Sequence, residues 1–209
     1  MKFFNECVEI AKSRNRLPHW QQDGSTYFVT FRLNDSIPKA LMDKWTADRN
    51  RWISDHPHPW DEETEMEYHS LFSAEMDRML DAGHGECVLR KREHAEIVRE
   101  EFGKYEGVRY MLHAYVVMPN HAHLLFSLAE GIALDKVVGS WKRISARHIN
   151  ESIGKSGALW QKDYFDRIIR SWEHILRVAR YVRRNPTKAK LREGEYLLYE
   201  AEWVRKMLS

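Results

Sequence analysis

Two apolar runs joined by only two residues constrain the fold of this chain most. The first run covers residues 108–118, the second covers His121–Leu128, and only Pro119 and Asn120 separate them. Both runs are rich in β-branched and aromatic residues, which favour strands. A connection this short requires the two strands to be antiparallel neighbours. We therefore predict an antiparallel hairpin.

Apolar periodicity and capping residues predict the other elements. A strand is expected at 25–33, a short one at 86–89, and extended chain at 158–161 and 165–169. Helices are expected at 39–53, 61–80, 92–104, 134–153 and 171–184, with a loop at 56–59 and a short helix in the tail 195–209. Ser171 is the expected cap of the helix at 171–184, and Asn185-Pro186 either ends that helix or lies on its last turn.

The length and composition fit one domain. A chain of 209 residues with 43% hydrophobic residues can bury a single core. We predict one domain over 1–209, made of a core at 24–191, an acidic helical elaboration at 38–83 and a C-terminal tail at 192–209. No period of twenty to fifty residues recurs, so a repeat architecture is excluded.

The formal net charge of +2 conceals two oppositely charged regions. Residues 35–81 hold twelve acidic and five basic side chains, whereas residues 141–190 hold thirteen basic and four acidic ones. A solvated helix face is the ordinary explanation of such a basic run. Aromatic residues lie among these bases, as in proteins that bind single strands by stacking and phosphate neutralisation. These aromatics are Trp141, Trp160, Tyr164, Phe165 and Trp172.

Cysteine usage and the first sixteen residues bear on the compartment. Cys7 and Cys87 are too few for a disulfide framework or a thiolate metal site. Charged residues interrupt the first sixteen positions, where a signal peptide needs an unbroken apolar region. We expect a soluble, cytoplasmic protein that does not associate with a membrane.

His121 and His123 form the first candidate site. Residues two apart on a strand point to the same face, so both imidazoles can bind one metal ion. Burying such a pair is costly unless its nitrogens are satisfied, and a metal would satisfy them. The alternative is one histidine hydrogen-bonded in the core and the other exposed to solvent.

Tyr181 and Asn185 form the second candidate site. They are four residues apart on the predicted helix, so a phenol and an amide oxygen share one face. Two imidazoles and an amide suit Mg²⁺ or Mn²⁺ with open positions, and a cation that polarises a phosphodiester would assist attack by a tyrosine. The alternatives are a Tyr181 that packs in the core and an Asn185 that caps the helix end. Tyr164 is a second candidate nucleophile.

Four stretches resemble one known family. Residues 24–33 (GSTYFVTFRL), 117–125 (VMPNHAHLL), 159–167 (LWQKDYFDR) and 181–189 (YVRRNPTKA) are similar to motifs of the single-tyrosine HUH transposases, and within them of the REP-associated tyrosine transposases of bacterial chromosomes. The resemblance covers most of residues 24–191. It implies that His121, His123 and Asn185 hold a divalent metal ion and that Tyr181 attacks single-stranded DNA to form a 5′-phosphotyrosine.

The same resemblance implies a fold and a partner. The expected fold is α+β, a ferredoxin-like antiparallel sheet with helices packed on one face, plus a helical insertion after the first strand. The expected partner is single-stranded DNA with palindromic hairpins, bound by a monomer or homodimer. The residues expected to contact DNA are Arg32, Lys142, Arg143, Arg147, Arg183, Arg184 and Lys188.

Two departures and two alternatives accompany this resemblance. The acidic stretch 38–83 is longer than the family leads us to expect, and Lys190 stands where a glycine is common. A DNA-hairpin binding protein that has lost cleavage is the main alternative. A replication initiator or relaxase is the other, although such enzymes commonly differ in motif order or tyrosine number.

Overall fold

A five-stranded antiparallel sheet lies at the centre of the structure, a computed structural model that describes residues 1–5, 11–14, 18–57 and 60–209. The strands are β3 (Thr26–Arg32), β4 (Tyr110–Val117), β5 (His121–Leu128), β6 (Phe165–Ile168) and β7 (Leu197–Glu200), in the order β6-β3-β5-β4-β7. The predicted hairpin, β4 and β5, lies in its interior. A separate two-stranded sheet pairs β1 (Ala11–Arg14) with β2 (Pro18–Gln21). The predictions for Cys7 and for His58-Pro59 concern residues outside the described part.

The helices occupy both faces of this sheet. They are α1 (Lys39–Asp55), α2 (Glu62–Tyr68), α3 (Ala74–Asp81), α4 (Arg92–Gly103), α5 (Leu134–Ser152), α6 (Trp172–Lys188) and α7 (Glu202–Leu208). Side chains of α4 and α5 pack with Tyr27, Val29 and Phe31 on one face. Side chains of α6 and α7 pack with Val116 and Leu125 on the other.

The predicted class, an α+β antiparallel sheet with packed helices and an insertion after the first core strand, is therefore confirmed. The expectation of helices on one face only is corrected, because nearly every residue of β4 and β5 is buried, whichever face of the sheet its side chain points to. An antiparallel sheet with two apolar faces must be covered on both.

The acidic elaboration forms a small helical unit, hereafter the insertion (residues 38–83). A π-helical turn at His69–Ser73 joins α2 to α3, and Trp45, Phe72, Met76 and Leu80 form the unit's own buried cluster. Several contacts join the insertion to the rest of the protein, among them one at Trp45 and one at Asn120. Trp45 lies edge-on to Phe165 of β6, with ring centroids 5.7 Å apart. Asn120 Nδ2 donates a hydrogen bond of 3.0 Å to Leu80 O.

Two predicted elements differ in the structure. The strand expected at 86–89 is wrong, because Cys87 has φ 49° in the left-handed region and a 3-10 turn, Val88–Arg90, follows it. The tail expected as one helix instead contributes β7 before α7, since its backbone pairs with β4 from Ala114 to Val117.

Helix α6, which carries Tyr181, ends one turn later than the expected end at residue 184. Pro186 lies inside α6, which ends at Lys188. Lys190 has φ 55°, a conformation in which glycine has no steric cost. This explains why a glycine would suit that position.

No helix within the described residues is long and apolar enough to cross a membrane.

Candidate active site

The two predicted histidine ligands lie on one face of β5, in the middle of the protein. Strand pairing places His123 opposite Thr30 and His121 opposite Arg32 on β3. Each imidazole is 1% exposed. Burial lowers the pKa of His121 to about 3 and that of His123 well below its usual value, so both rings are neutral at physiological pH.

The hydrogen bonds of these rings direct their Nε2 atoms towards each other. His121 Nδ1 lies 2.7 Å from Asn120 Oδ1, which only accepts, so His121 carries its proton on Nδ1. His123 Nδ1 lies 2.6 Å from Thr30 Oγ1. The two Nε2 atoms are 3.1 Å apart. At least one Nε2 lone pair therefore points into the space between the two rings. Metal-binding histidines are oriented in the same way, by a hydrogen bond to their other ring nitrogen.

Helix α6 brings the other two predicted residues to the same place. The Tyr181 hydroxyl lies 3.2 Å from His123 Nε2, and Phe28 packs edge-on against the Tyr181 ring and stacks on that of His123. Burial raises the pKa of Tyr181 well above its usual value, and the neighbouring Asp77 carboxylate adds to the rise. The Tyr181 hydroxyl therefore keeps its proton unless a nearby positive charge offsets the effects of burial and of the Asp77 carboxylate.

Asn185 lies one turn beyond Tyr181 and is 1% exposed. Neither its Oδ1 nor its Nδ2 forms a hydrogen bond of normal geometry among the described residues, although the amide lies close enough to the Tyr181 hydroxyl to lower the pKa of Tyr181 slightly. Burying an amide without a good hydrogen bond destabilises the folded protein. A bound ion would offset this destabilisation. Within the described residues no three His, Cys, Asp or Glu side chains are arranged to hold a metal. The donor set that fits a divalent cation is thus the two Nε2 atoms and this amide oxygen.

The alternatives for these residues can now be compared with the geometry. Both histidines are buried together, unlike a pair with one ring in solvent. Asn185 belongs to α6, which continues to Lys188, so it does not cap the helix end. Tyr164 lies in the core cluster on the opposite face of the sheet from the histidines. It is therefore too poorly placed to act with them.

The predicted DNA-contacting residues divide into two groups. Arg143, Arg147 and Arg184 are exposed, and Lys188 is half-exposed, although Lys188 Nζ lies 3.3 Å from Asp81 Oδ2. Lys142 is partly buried, donates to Lys162 O at 2.6 Å, and has its pKa lowered to about 8 by burial.

Two other predicted contacts are held by hydrogen bonds within the protein. Arg32 is 4% exposed and donates to Ser36 Oγ at 3.2 Å. Arg183 donates to both carboxylate oxygens of Glu200 and to Leu208 O, all within 2.9 Å. Arg32 is covered by neighbouring elements, and Arg183 holds the C-terminal segment. Neither residue is therefore part of the proposed DNA interface.

Three residues of the site were missed by sequence reasoning. Thr30 and Asn120 orient the imidazoles, and the Asp77 carboxylate of the insertion lies close enough to the Tyr181 hydroxyl to raise its pKa. Asn120 could have been found, because it directly precedes His121 in the motif. Thr30 and Asp77 give no sequence signal, since only strand register and the docking of α3 bring them here.

One family model matches the part of the chain that carries these residues. Residues 86–185 match the family model described as "Transposase IS200 like", a segment that contains His121, His123, Tyr181 and Asn185. No curated protein matches the chain significantly.

Two solved structures resemble it at low sequence identity. One is a REP-associated tyrosine transposase bound to a REP hairpin, 17% identical, covering 84% of this chain and 73% of its own, with a TM-score of 0.46. The other is a transposase candidate from Deinococcus radiodurans R1, 16% identical, covering 88% of this chain and 98% of its own, with a TM-score of 0.35.

Proposed function

The chain belongs, through residues 86–185, to the IS200-like transposase family, and on that premise we propose that it is a metal-dependent, single-tyrosine DNA strand-transferase. Its substrate is single-stranded DNA at or near palindromic hairpins. The observation that carries the proposal is the convergence of four side chains from two elements. His121 and His123 come from β5, Tyr181 and Asn185 from α6, and the Tyr181 hydroxyl lies 3.2 Å from His123 Nε2.

The residues suit a divalent metal ion with open positions. His121, His123 and Asn185 would hold Mg²⁺ or Mn²⁺, with the imidazoles already neutral and oriented for coordination. When bound, such an ion withdraws electron density from a phosphodiester and stabilises the charge that develops on it.

Tyr181 would then perform the covalent step. Its hydroxyl oxygen forms a bond to the scissile phosphorus, and the bond between phosphorus and the 3′-oxygen of the leaving strand breaks. The phenolic proton leaves through a neighbouring acceptor, and a proton is returned to the 3′-oxygen, which departs as a free 3′-OH. The product is a 5′-phosphotyrosine, and attack by another 3′-OH reverses the step on a new end. No water or nucleotide cofactor enters.

Cations exposed on α5 and α6 would hold the DNA backbone. Arg143 and Arg147 lie on the solvent side of α5, and Arg184 and Lys188 flank Asn185. Contacts of this kind position the strand without reading its sequence. Recognition of the hairpin therefore needs further contacts to bases or to the shape of the stem.

Formation of a covalent adduct tests the proposal. Wild-type protein is incubated with labelled single-stranded DNA that contains the palindromic repeats beside its own gene, with Mn²⁺ or EDTA, and adducts that survive SDS are measured. We expect an adduct that requires the metal and falls at least a hundredfold in Tyr181→Phe. Tyr164→Phe is the matched control, because it removes the other candidate hydroxyl and should leave the adduct intact. Tight hairpin binding without any adduct would favour the non-cleaving binding protein instead.

Asn185→Leu tests the metal site in the same experiment. It replaces a buried amide that forms no hydrogen bond of normal geometry by an apolar side chain of similar size, so the metal-free protein should gain about 1 kcal/mol of stability. Adduct formation and the Mn²⁺-dependent rise in Tm should both be lost. An unchanged rise in Tm with Mn²⁺ would contradict the assignment of Asn185 as a ligand.

A further inference from the structure

A large cavity opens directly beside Tyr181, between the insertion and α6. Its volume is about 990 Å³, and Tyr181 forms part of its wall. We propose that this cavity takes an unstacked base of the single strand, from a nucleotide that flanks the scissile phosphate. The inference rests on the proposed function and adds a specificity site built by the insertion. Sites for small organic groups typically enclose about 300–1,000 Å³, so one nucleotide fits.

The insertion contributes the aromatic side of the cavity. Trp60 and Tyr68 lie with ring centroids 4.9 Å apart and both line it. Met66 lines the same wall and is 66% exposed, an unusual position for a large apolar side chain. Aromatic rings next to an accessible apolar side chain provide the surface on which a base stacks.

Helix α6 contributes the cationic side. His174, Arg177, Val178 and Tyr181 form one stripe of the helix along the cavity. Arg177 is exposed and lies one turn, about 6 Å along the axis, from the nucleophile. A phosphate next to the scissile one would therefore lie within reach of Arg177 while Tyr181 attacks.

The charges around the cavity set the orientation of the nucleotide. Arg170 and Arg177 lie on the α6 side, and Asp61 and Asp77 lie on the side of the insertion. Asp166 and Arg167 of β6, which carry opposite charges, also line the cavity. Phosphate is attracted to the first side and repelled from the second, so the base must point towards the insertion. A carboxylate there can accept a hydrogen bond from an exocyclic amino group, which gives the cavity a means of discriminating bases.

The test combines abasic substitutions in the DNA with variants of the cavity. Single abasic sites are placed at each position on both sides of the cleavage point, and Kd and adduct yield are measured for each. In the wild type we expect one position at which base removal weakens binding about tenfold, the size of a lost stacking contact. Met66→Ala/Arg177→Ala should weaken binding of intact DNA and lose most of that positional effect. Leu71→Ala is the matched control, since Leu71 is 45% exposed on the insertion and does not line this cavity.

Trp60→Ala provides a second variant with the larger expected loss, and its Tm shows whether the insertion stays folded. The Met66→Ala/Arg177→Ala variant changes only exposed side chains. It therefore still tests the proposal if Trp60→Ala unfolds. An adduct with normal yield but no abasic position coupled to the cavity variants would overturn this inference alone. Absence of any adduct in the wild type would overturn the proposed function, and the inference with it.

Discussion

Asp77 shows how a single carboxylate can bear on the nucleophile. Burial raises its pKa to about 6, a rise that the Tyr181 hydroxyl and the charge of Lys188 partly oppose. Its Oδ2 lies 4.0 Å from Lys188 Nζ. When Asp77 is ionised, its charge makes loss of the Tyr181 proton harder. A cation bound by the neighbouring ligands would therefore favour attack by offsetting this charge.

The pKa of Asp77 predicts a pH-dependent cost to stability. The folded-state pKa of about 6 lies above the ordinary value of 3.8, so the folded protein holds this proton more tightly than the unfolded chain. Asp77 therefore destabilises the folded protein only slightly below pH 4. The destabilisation grows between pH 4 and pH 6 and reaches on the order of 3 kcal/mol above pH 6. Asp77→Asn should be more stable than the wild type at pH 7.5, with the advantage vanishing near pH 4.

Urea unfolding of both proteins at pH 4.0, 5.0, 6.0 and 7.5 measures this advantage. Differences between the two proteins cancel the effect of other titrating groups, including the buried histidines. Asp48→Asn, an exposed change on α1 of the same insertion, controls for the substitution itself. An advantage of Asp77→Asn that is equal at all four pH values would show that the carboxyl is not perturbed as described.

Helix α6 carries the proposed nucleophile, Tyr181, and the proposed amide ligand, Asn185, and the C-terminal segment fixes its position. Its buried stripe, which includes Val178 and Val182, packs on the sheet and directs Tyr181 and Asn185 to the histidines. The paired hydrogen bonds of Arg183 with Glu200 join α6 to β7, and Val204 of α7 packs in the same core. The placement of the nucleophile thus depends on residues that follow it in sequence.

Removing volume at Val204 should loosen this support. Val204 is fully buried, so Val204→Ala leaves a cavity and should lower the free energy of unfolding by about 1 to 3 kcal/mol. Met207→Ala is the matched control on the same helix, because Met207 is 47% exposed and its loss should change stability by less than about 0.5 kcal/mol. Urea denaturation gives both values. Equal effects of the two substitutions would mean that α7 does not pack on α6 as described.

At the scale of the whole molecule, charge is divided between two regions. The insertion is acidic and residues 141–190 are basic, and the two meet where Lys188 pairs with Asp81. A polyanion approaching the protein is attracted to α5 and α6 and repelled by the outer surface of the insertion. Under the proposed function, this division would orient the DNA before any base is contacted.

The salt dependence of DNA binding tests this division. Each phosphate contact that is lost should reduce the slope of log K against log salt by about 0.7 for a single strand. Arg143→Ala and Arg147→Ala should each do so, whereas Lys39→Ala, an exposed cation of the insertion, should leave the slope unchanged. Titrations from 50 to 300 mM salt measure all three variants. A slope that changes equally for Lys39→Ala would contradict the assignment of DNA to the basic region.

Sequence alone determined the features that depend on neighbouring residues. The hairpin of β4 and β5, the histidine pair on one strand face and the spacing of Tyr181 and Asn185 follow from strand and helix periods, which are local. The class of fold followed from the resemblance to a known family, and the order of predicted strands and helices agreed with it. The family motifs added the roles expected of these side chains.

Tertiary structure alone decided the features that depend on distant residues. The pairing of β7 with β4, the burial of Arg32 and the ion pair of Arg183 arise from backbone register and packing between remote segments. The contact of Asp77 with Tyr181 and the cavity beside it exist only because the insertion docks over the site. No local pattern encodes these contacts. Their free energy comes from burying two surfaces against each other, and the two surfaces belong to segments that are far apart in the sequence.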